Sequence, residues 1–112
     1  MSLPRKLRLT INREVLWRLR KEGKTIQTPL LSAKYYPSDQ GKGARFGVVI
    51  GTAVDKRATT RNRIKRTIYE AILGSLPKQA GTDMIIYPKK GIINSDKQRV
   101  EEETKNLLKS IK

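Results

Sequence analysis

The sequence predicts an α+β sandwich in the order α-β-β-β-α-β-α. Three observations predict it. Two stretches carry apolar residues at helical spacing, one near the start and one in the middle of the chain. Short extended runs, punctuated by Pro29 and by the turn-rich segment Pro37–Gly43, lie between them. An apolar run at Thr82–Pro88 then leads into a third helical pattern. At 112 residues the whole of 1–112 fits one domain, whose core would bury roughly two-thirds of the unfolded chain's surface.

Residues 1–9 are basic and irregular, and Met1-Ser2-Leu3 has the look of a cloning remnant. Ile11, Val15, Leu16 and Leu19 recur at helical spacing, with Thr10 or Asn12 as candidate caps and Gly23 as a left-handed terminator. A first helix over about 11–22 follows. Pro29 divides Lys24–Thr28 from Leu30–Tyr36, giving two short strands or one strand with an edge break. Arg45–Gly51 reads as a continuous apolar strand covered on both faces. A long helix runs from Arg57 or Thr60 to Gly74 or Leu76, where Pro77 stops it. Thr82–Pro88 reads as another buried strand, and Lys89-Lys90-Gly91 as a basic turn. Ser95 to Gln98 matches a capping box for a last helix that carries Val100, Leu107, Leu108 and Ile111 on one side. The acids Glu101, Glu102 and Glu103 suit the start of that helix and need no other role.

With 37% hydrophobic and 31% charged residues, the composition is that of a folded domain with a heavily charged surface. Lysine and arginine number 25 against 10 acids, a formal net charge of +15. Such an excess repels itself in a compact state, and a polyanion relieves it while releasing counterions. Nucleic acid is therefore the expected partner. A membrane is not, because no basic helix has a strong aromatic and leucine face and no apolar run nears the roughly 20 residues of a span. The absence of cysteine and histidine excludes disulfides, thiolate chemistry, the usual zinc ligands and histidine-based acid–base catalysis. The first residues lack the apolar core of a signal peptide, so the cytoplasm is the expected compartment.

The densest basic cluster, Arg57–Arg66, opens the second long helix. Ile64, Ile68, Ala71 and Ile72 share one face, and Arg63, Arg66 and Asn62 lie on the far arc. Arg61 and Lys65 flank the apolar stripe. Cations at a helix N-terminus oppose the macrodipole, and a bound phosphate removes the conflict. A solvated helix face with ion pairs to Glu70 is the plainer alternative. Asp39 and Asp55 read as isolated acids, with no paired carboxylates for a metal.

Arg61-Asn62-Arg63-Ile64-Lys65-Arg66 resembles the signature helix of the bacterial ribonuclease P protein. Val54–Ala58 resembles the approach to that helix. Arg45-Phe46-Gly47, Leu7–Lys24 and Pro29–Pro37 are similar to the family's third strand, first helix and second strand. The resemblance implies a fold like that of ribosomal protein S5 domain 2, with a left-handed β-α-β crossover against the usual handedness. It implies a protein subunit with no catalytic residues of its own. A catalytic RNA, using magnesium, removes the 5′ leader of precursor tRNA, and the protein alone binds no cofactor. Carried over residue by residue, Arg57, Arg61, Asn62, Arg63, Lys65 and Arg66 would contact the catalytic RNA. Leu16, Trp17, Arg20, Lys34 and Tyr36 would line a cleft for the single-stranded leader.

The chain departs from the family in that cleft. Leu16 and Arg20, beside Trp17, stand where the first helix normally has phenylalanines, and Lys34 where the second strand often has tyrosine. Gly51-Thr52-Ala53 replaces a typical Ser-Lys-Lys. Leader binding would then lean on charge more than on stacking. Strand alternation sends Lys34 and Tyr36 to one face and Tyr35 to the other. Trp17 lies off the Leu16/Leu19 face. Three other classes compete with this reading: a ribosomal or ribosome-assembly protein using the same helix on ribosomal RNA, a magnesium-dependent nuclease, and a DNA-binding regulator. The nuclease would need clustered acids, and the regulator a helix-turn-helix spacing. The sequence offers neither.

Overall fold

The structure is a computed structural model that describes residues 8–9, 11–37, 45–74 and 82–110. The predicted order is present: α1 (Arg13–Glu22), β1 (Lys24–Gln27), β2 (Leu31–Pro37), β3 (Arg45–Val48), α2 (Ala58–Gly74), β4 (Thr82–Pro88) and α3 (Lys97–Lys109), with a 3-10 turn at Lys90–Asn94. The Ser38–Gly43 turn and Ile111 lie outside the described residues.

The four strands form one sheet in the order β1-β2-β4-β3. β1 pairs antiparallel with β2, and β2 with β4, while β3 and β4 run parallel. Two parallel neighbours need a crossover, and α2 supplies it. Period-two alternation sorts the sheet's two faces. Leu31, Ala33 and Tyr35 of β2 join Phe46, Val48, Met84 and Ile86 in the main core, covered by Ile64, Ile68 and Ile72 of α2 and Val100, Leu107 and Leu108 of α3. On the opposite face Ile85 packs with Leu9 and Leu19, bordered by Val15, Tyr36 and Tyr87. α1 thus lies on one side of the sheet, and α2 with α3 on the other. β4 is buried from both sides, which is why its sequence reads as an unbroken apolar run.

β3 closes after Val48, earlier than the apolar run to Gly51 suggests, although Val49 N–H still donates to Ile86 O at 3.0 Å. Its outer edge is capped by the N-terminal segment: Leu9 N–H donates to Phe46 O at 2.9 Å, and Arg8 bridges Phe46 in parallel. Such cover removes an open sheet edge. Ile11 precedes α1 rather than opening it and sits over Gly47, where a Cβ would come within 2.9 Å of the Ile11 side chain.

Asn12, one of the two candidate caps, caps α1 by accepting from Val15 N–H at 2.9 Å, while Thr10 lies outside the described residues. Two local expectations are corrected. Gly23 is extended (φ −75°, ψ 155°), not left-handed. It is needed because a Cβ there would collide with the Leu19 carbonyl oxygen, to which its own N–H donates at 3.0 Å. Close approach rather than handedness selects glycine. Gly23→Ala is therefore expected to cost more than about 1 kcal/mol, and Gly23→Asn no less, although asparagine is tolerated at left-handed ends. Denaturant midpoints of the two variants check this. At α3, Asp96 is the cap, accepting from Arg99 N–H at 2.8 Å, while the Ser95 hydroxyl turns back to donate to Gly91 O. Ser95 is extended and one residue too early, so the expected Ser95–Gln98 box does not form.

Candidate nucleic-acid interface

The start of α2 is assembled by Asp55. Its carboxylate accepts from the Arg57 backbone N–H at 2.7 Å and from the Arg57 guanidinium at 3.2 and 3.1 Å. The Arg57 side-chain bond first, and its backbone bond second, hold the Asp55 carboxyl below the usual carboxylate range. Arg57 is correspondingly raised by the same pairing. Arg61 is turned back onto this turn, donating from Nη1 to the carbonyls of Asp55 at 3.0 Å and Lys56 at 2.9 Å. Asp55 is thus not isolated, as its sequence context suggests. It places an acid just before the helix and relieves part of the conflict between Arg57, Arg61 and the macrodipole.

The next turn of α2 is different. Asn62, Arg63 and Arg66 are exposed, and among the described residues none has a protein hydrogen-bond or ion-pair partner for its side chain. Lys65 is half-buried beside the Ile64–Ile68 stripe that seats the helix. Arg63 and Arg66 border a groove of about 440 Å³ between α2 and α3, floored by Ile64 and Val100, with Lys97 on its far rim. Glu70 pairs with that Lys97 at 3.4 Å and not with the cations of its own helix. The cluster is therefore split. Arg57 and Arg61 shape the turn, while Asn62, Arg63 and Arg66 face solvent.

The second set of candidate residues lies on the α1 side of the sheet and divides three ways. Leu16, 39% exposed, shares a flank of α1 with Arg20 at the i,i+4 spacing. Arg20 is close enough to Tyr87 of β4 to act on its ionisation: burial pushes the phenol up, and the Arg20 charge draws it partly back. Lys34 lies on this same sheet face, paired with Ile85 in register, with Tyr87 two positions further along β4. Leu16, Arg20, Lys34 and Tyr87 thus make one basic, partly aromatic recess. Tyr36 stands away from it, on the opposite flank, with the Arg18 guanidinium 5.7 Å from its ring centroid. Trp17 belongs to neither flank. It points outward, 58% exposed, with the Lys21 ammonium 5.1 Å from its ring.

Tyr87 is the site residue that sequence reading leaves out. Its signal is present, since alternation puts Tyr87 on the face of Ile85, but a run read as wholly buried hides it. Lys89 goes the other way. Read in the sequence as part of a basic turn, it donates to Gln27 Oε1 at 3.1 Å and Thr28 O at 2.9 Å, locking β1 to the end of β4. Among the described residues no group of three acids, histidines or cysteines could hold a metal ion. No described helix is long and apolar enough to cross a membrane.

Fold and surface together define a small, strongly basic α+β domain, with cationic surfaces complementary to polyanions on both sides of one sheet. The chain belongs to the ribonuclease P protein family, whose model, described as Ribonuclease P, matches residues 3–112. It is 40% identical to the ribonuclease P protein component of Cyanothece sp. over 65 residues, 57% of this chain and 50% of the relative. With the Synechococcus elongatus component it is 30% identical, over 96% of this chain and 92% of that one. The chain thus spans about half the length of the Cyanothece relative and nearly all of the Synechococcus one. The RNase P protein from Thermotoga maritima superposes with a TM-score of 0.80 at 29% identity, over 94% of this chain and 97% of that chain. The predicted α+β fold class stands on that likeness.

Proposed function

We propose that this chain is the protein subunit of ribonuclease P. It binds the catalytic RNA through the outer arc of α2, and the single-stranded 5′ leader of precursor tRNA in the recess between α1 and the sheet. The observation that carries the reading is the contrast along α2. Asp55 and its turn engage Arg57 and Arg61, while among the described residues Arg63, Arg66 and Asn62 have no protein partner for their side chains, on a helix seated by its other face. Arginine forks in that state suit phosphate oxygens, and Asn62 adds a neutral hydrogen-bonding group. Lys65 borders the contact, and Arg57 and Arg61 hold the helix start in place for it.

In the recess, Arg20 and Lys34 offer charge to the leader's phosphates, Leu16 an apolar wall and Tyr87 a ring on which a base can stack. Tyr36, under Arg18, serves the packing of α1. The chain's own residues bind and orient. Bond cleavage and the magnesium it uses belong to the RNA. Among the described residues no group of three acids, histidines or cysteines could hold that ion.

The test adds the purified protein to several bacterial ribonuclease P RNAs and follows 5′-leader removal from precursor tRNA at low magnesium, with ribosomal RNA fragments as competitors. Stimulated cleavage that the fragments compete for poorly is expected. Folded protein that stimulates none of the RNAs, or that prefers the ribosomal fragments, would sink the reading. So would cleavage by the protein alone.

A further inference from the structure

Trp17 is the chain's only tryptophan and the most exposed of its large hydrophobic side chains among the described residues. Packing does not require it there, because Leu19 and Val15 already seat α1 on the sheet. It stands midway along a stripe, Arg13, Trp17, Lys21, whose i,i+4 spacing aligns the three on the outer face of the helix. Neither Arg13 nor Lys21 has an acid partner among the described residues, and the nearby Glu14 is engaged by Arg18 at 3.6 Å. A shallow concavity of about 520 Å³ lies against Arg13, Glu14 and Trp17. An exposed indole with a cation one turn to either side is the arrangement that holds a stacked base and its flanking phosphates.

We infer that Trp17 is a stacking platform for a leader nucleotide upstream of those held in the recess. The inference rests on the leader-binding reading above and extends it. Continuity selects this occupant: Leu16 and Arg20, on the recess flank, are the neighbours of Trp17 around the same helix, so a strand leaving the recess past Arg20 meets the indole next. The basic arc of α2 lies on the opposite side of the sheet. A second copy of the chain fits poorly, because two protomers of net charge +15 would bring like-charged faces together.

The experiment uses the protein assembled with catalytic RNA and precursor tRNAs whose leaders are lengthened one nucleotide at a time. Trp17 fluorescence is read against a leaderless tRNA complex, and affinity is read from a label on the tRNA. Affinity should rise with the first leader nucleotides while fluorescence stays at the baseline, then quenching should begin at a threshold length. Trp17→Ala should weaken binding of long leaders only, by about tenfold, within the range for base–aromatic stacking. Trp17→Phe should retain most of that affinity. The inference is overturned if long leaders bind tightly with unchanged fluorescence and Trp17→Ala affinity equals wild type. It is also overturned if quenching is complete with the shortest leader, or if fluorescence shifts with protein concentration in the absence of RNA. Equal affinity for leaderless and all leader-bearing tRNAs would instead remove the leader-binding reading itself.

Discussion

Replacing Arg63 and Arg66 together by alanine is expected to weaken binding to the catalytic RNA by about 10- to 100-fold while leaving the fold intact. The range follows from losing two charge-assisted hydrogen bonds to phosphate, each about 1.5–3 kcal/mol, with part recovered by rearrangement. If both arginines neutralise phosphates, the slope of log affinity against log salt falls by about 2. Neither side chain has a protein partner among the described residues, so the thermal midpoint should barely move. Arg57→Ala/Arg61→Ala makes a sharp contrast. Arg61 ties the Asp55 and Lys56 carbonyls to the helix, so that pair of substitutions should lower the melting temperature and loosen RNA binding indirectly. Filter binding at several salt concentrations, beside thermal melts of the free proteins, separates the two. An unchanged salt slope for Arg63→Ala/Arg66→Ala would remove the outer arc from the interface.

That contrast marks where sequence reading reaches and where it stops. Helical spacing alone places Ile64, Ile68, Ala71 and Ile72 inward and Arg63 and Arg66 outward, and the structure buries and exposes those residues accordingly. The same holds for strand alternation, which separates Tyr35 in the main core from Tyr36 on the opposite face. Both rules depend only on the period of the backbone. What does not follow from a period is which long side chain folds back on which neighbour. Arg57 and Arg63 are the same residue type six positions apart, yet one is held by Asp55 and the other is not. That difference belongs to a turn whose geometry no spacing encodes. The recess is similar. Its members come from α1, β2 and β4, and only the sheet order β1-β2-β4-β3 puts Tyr87 beside Lys34 and across from Arg20. The family pattern points to Lys34 and, by alternation, to its neighbour Tyr36, because it follows the second strand in sequence and does not register β4 beside it.

Glu103 is the clearest case of a residue whose role lies in tertiary contacts, and it carries the largest expected effect on stability. Read as one of three acids suited to a helix start, it is in fact buried. Its Oε1 accepts from the Leu30 N–H at 2.9 Å across 73 residues of sequence, and its Oε2 from the Arg99 guanidinium at 3.0 Å. The bond occupies the backbone N–H that follows Pro29, between β1 and β2, and so fastens that link to α3. Burial pushes the Glu103 pKa up, but bonds from the Thr28 hydroxyl, the Leu30 N–H and Arg99 outweigh it. The carboxyl is held below the ordinary glutamate value of 4.5. A folded-state pKa below the unfolded one means stability that is fully present above the unfolded value and lost as pH falls through the folded value. Glu103→Leu should cost about 2–3 kcal/mol at neutral pH, since it leaves the Leu30 N–H buried without an acceptor. Glu103→Gln keeps an acceptor and should cost about 1 kcal/mol. Urea midpoints of the three proteins across the acid range supply the check. Wild type should lose its advantage over Glu103→Gln as pH drops below 4.5, because the protonated acid and the amide then make similar bonds. A constant gap between the two curves down through that range would mean that the charge on Glu103 contributes nothing, and that its shape and its one acceptor account for the whole effect.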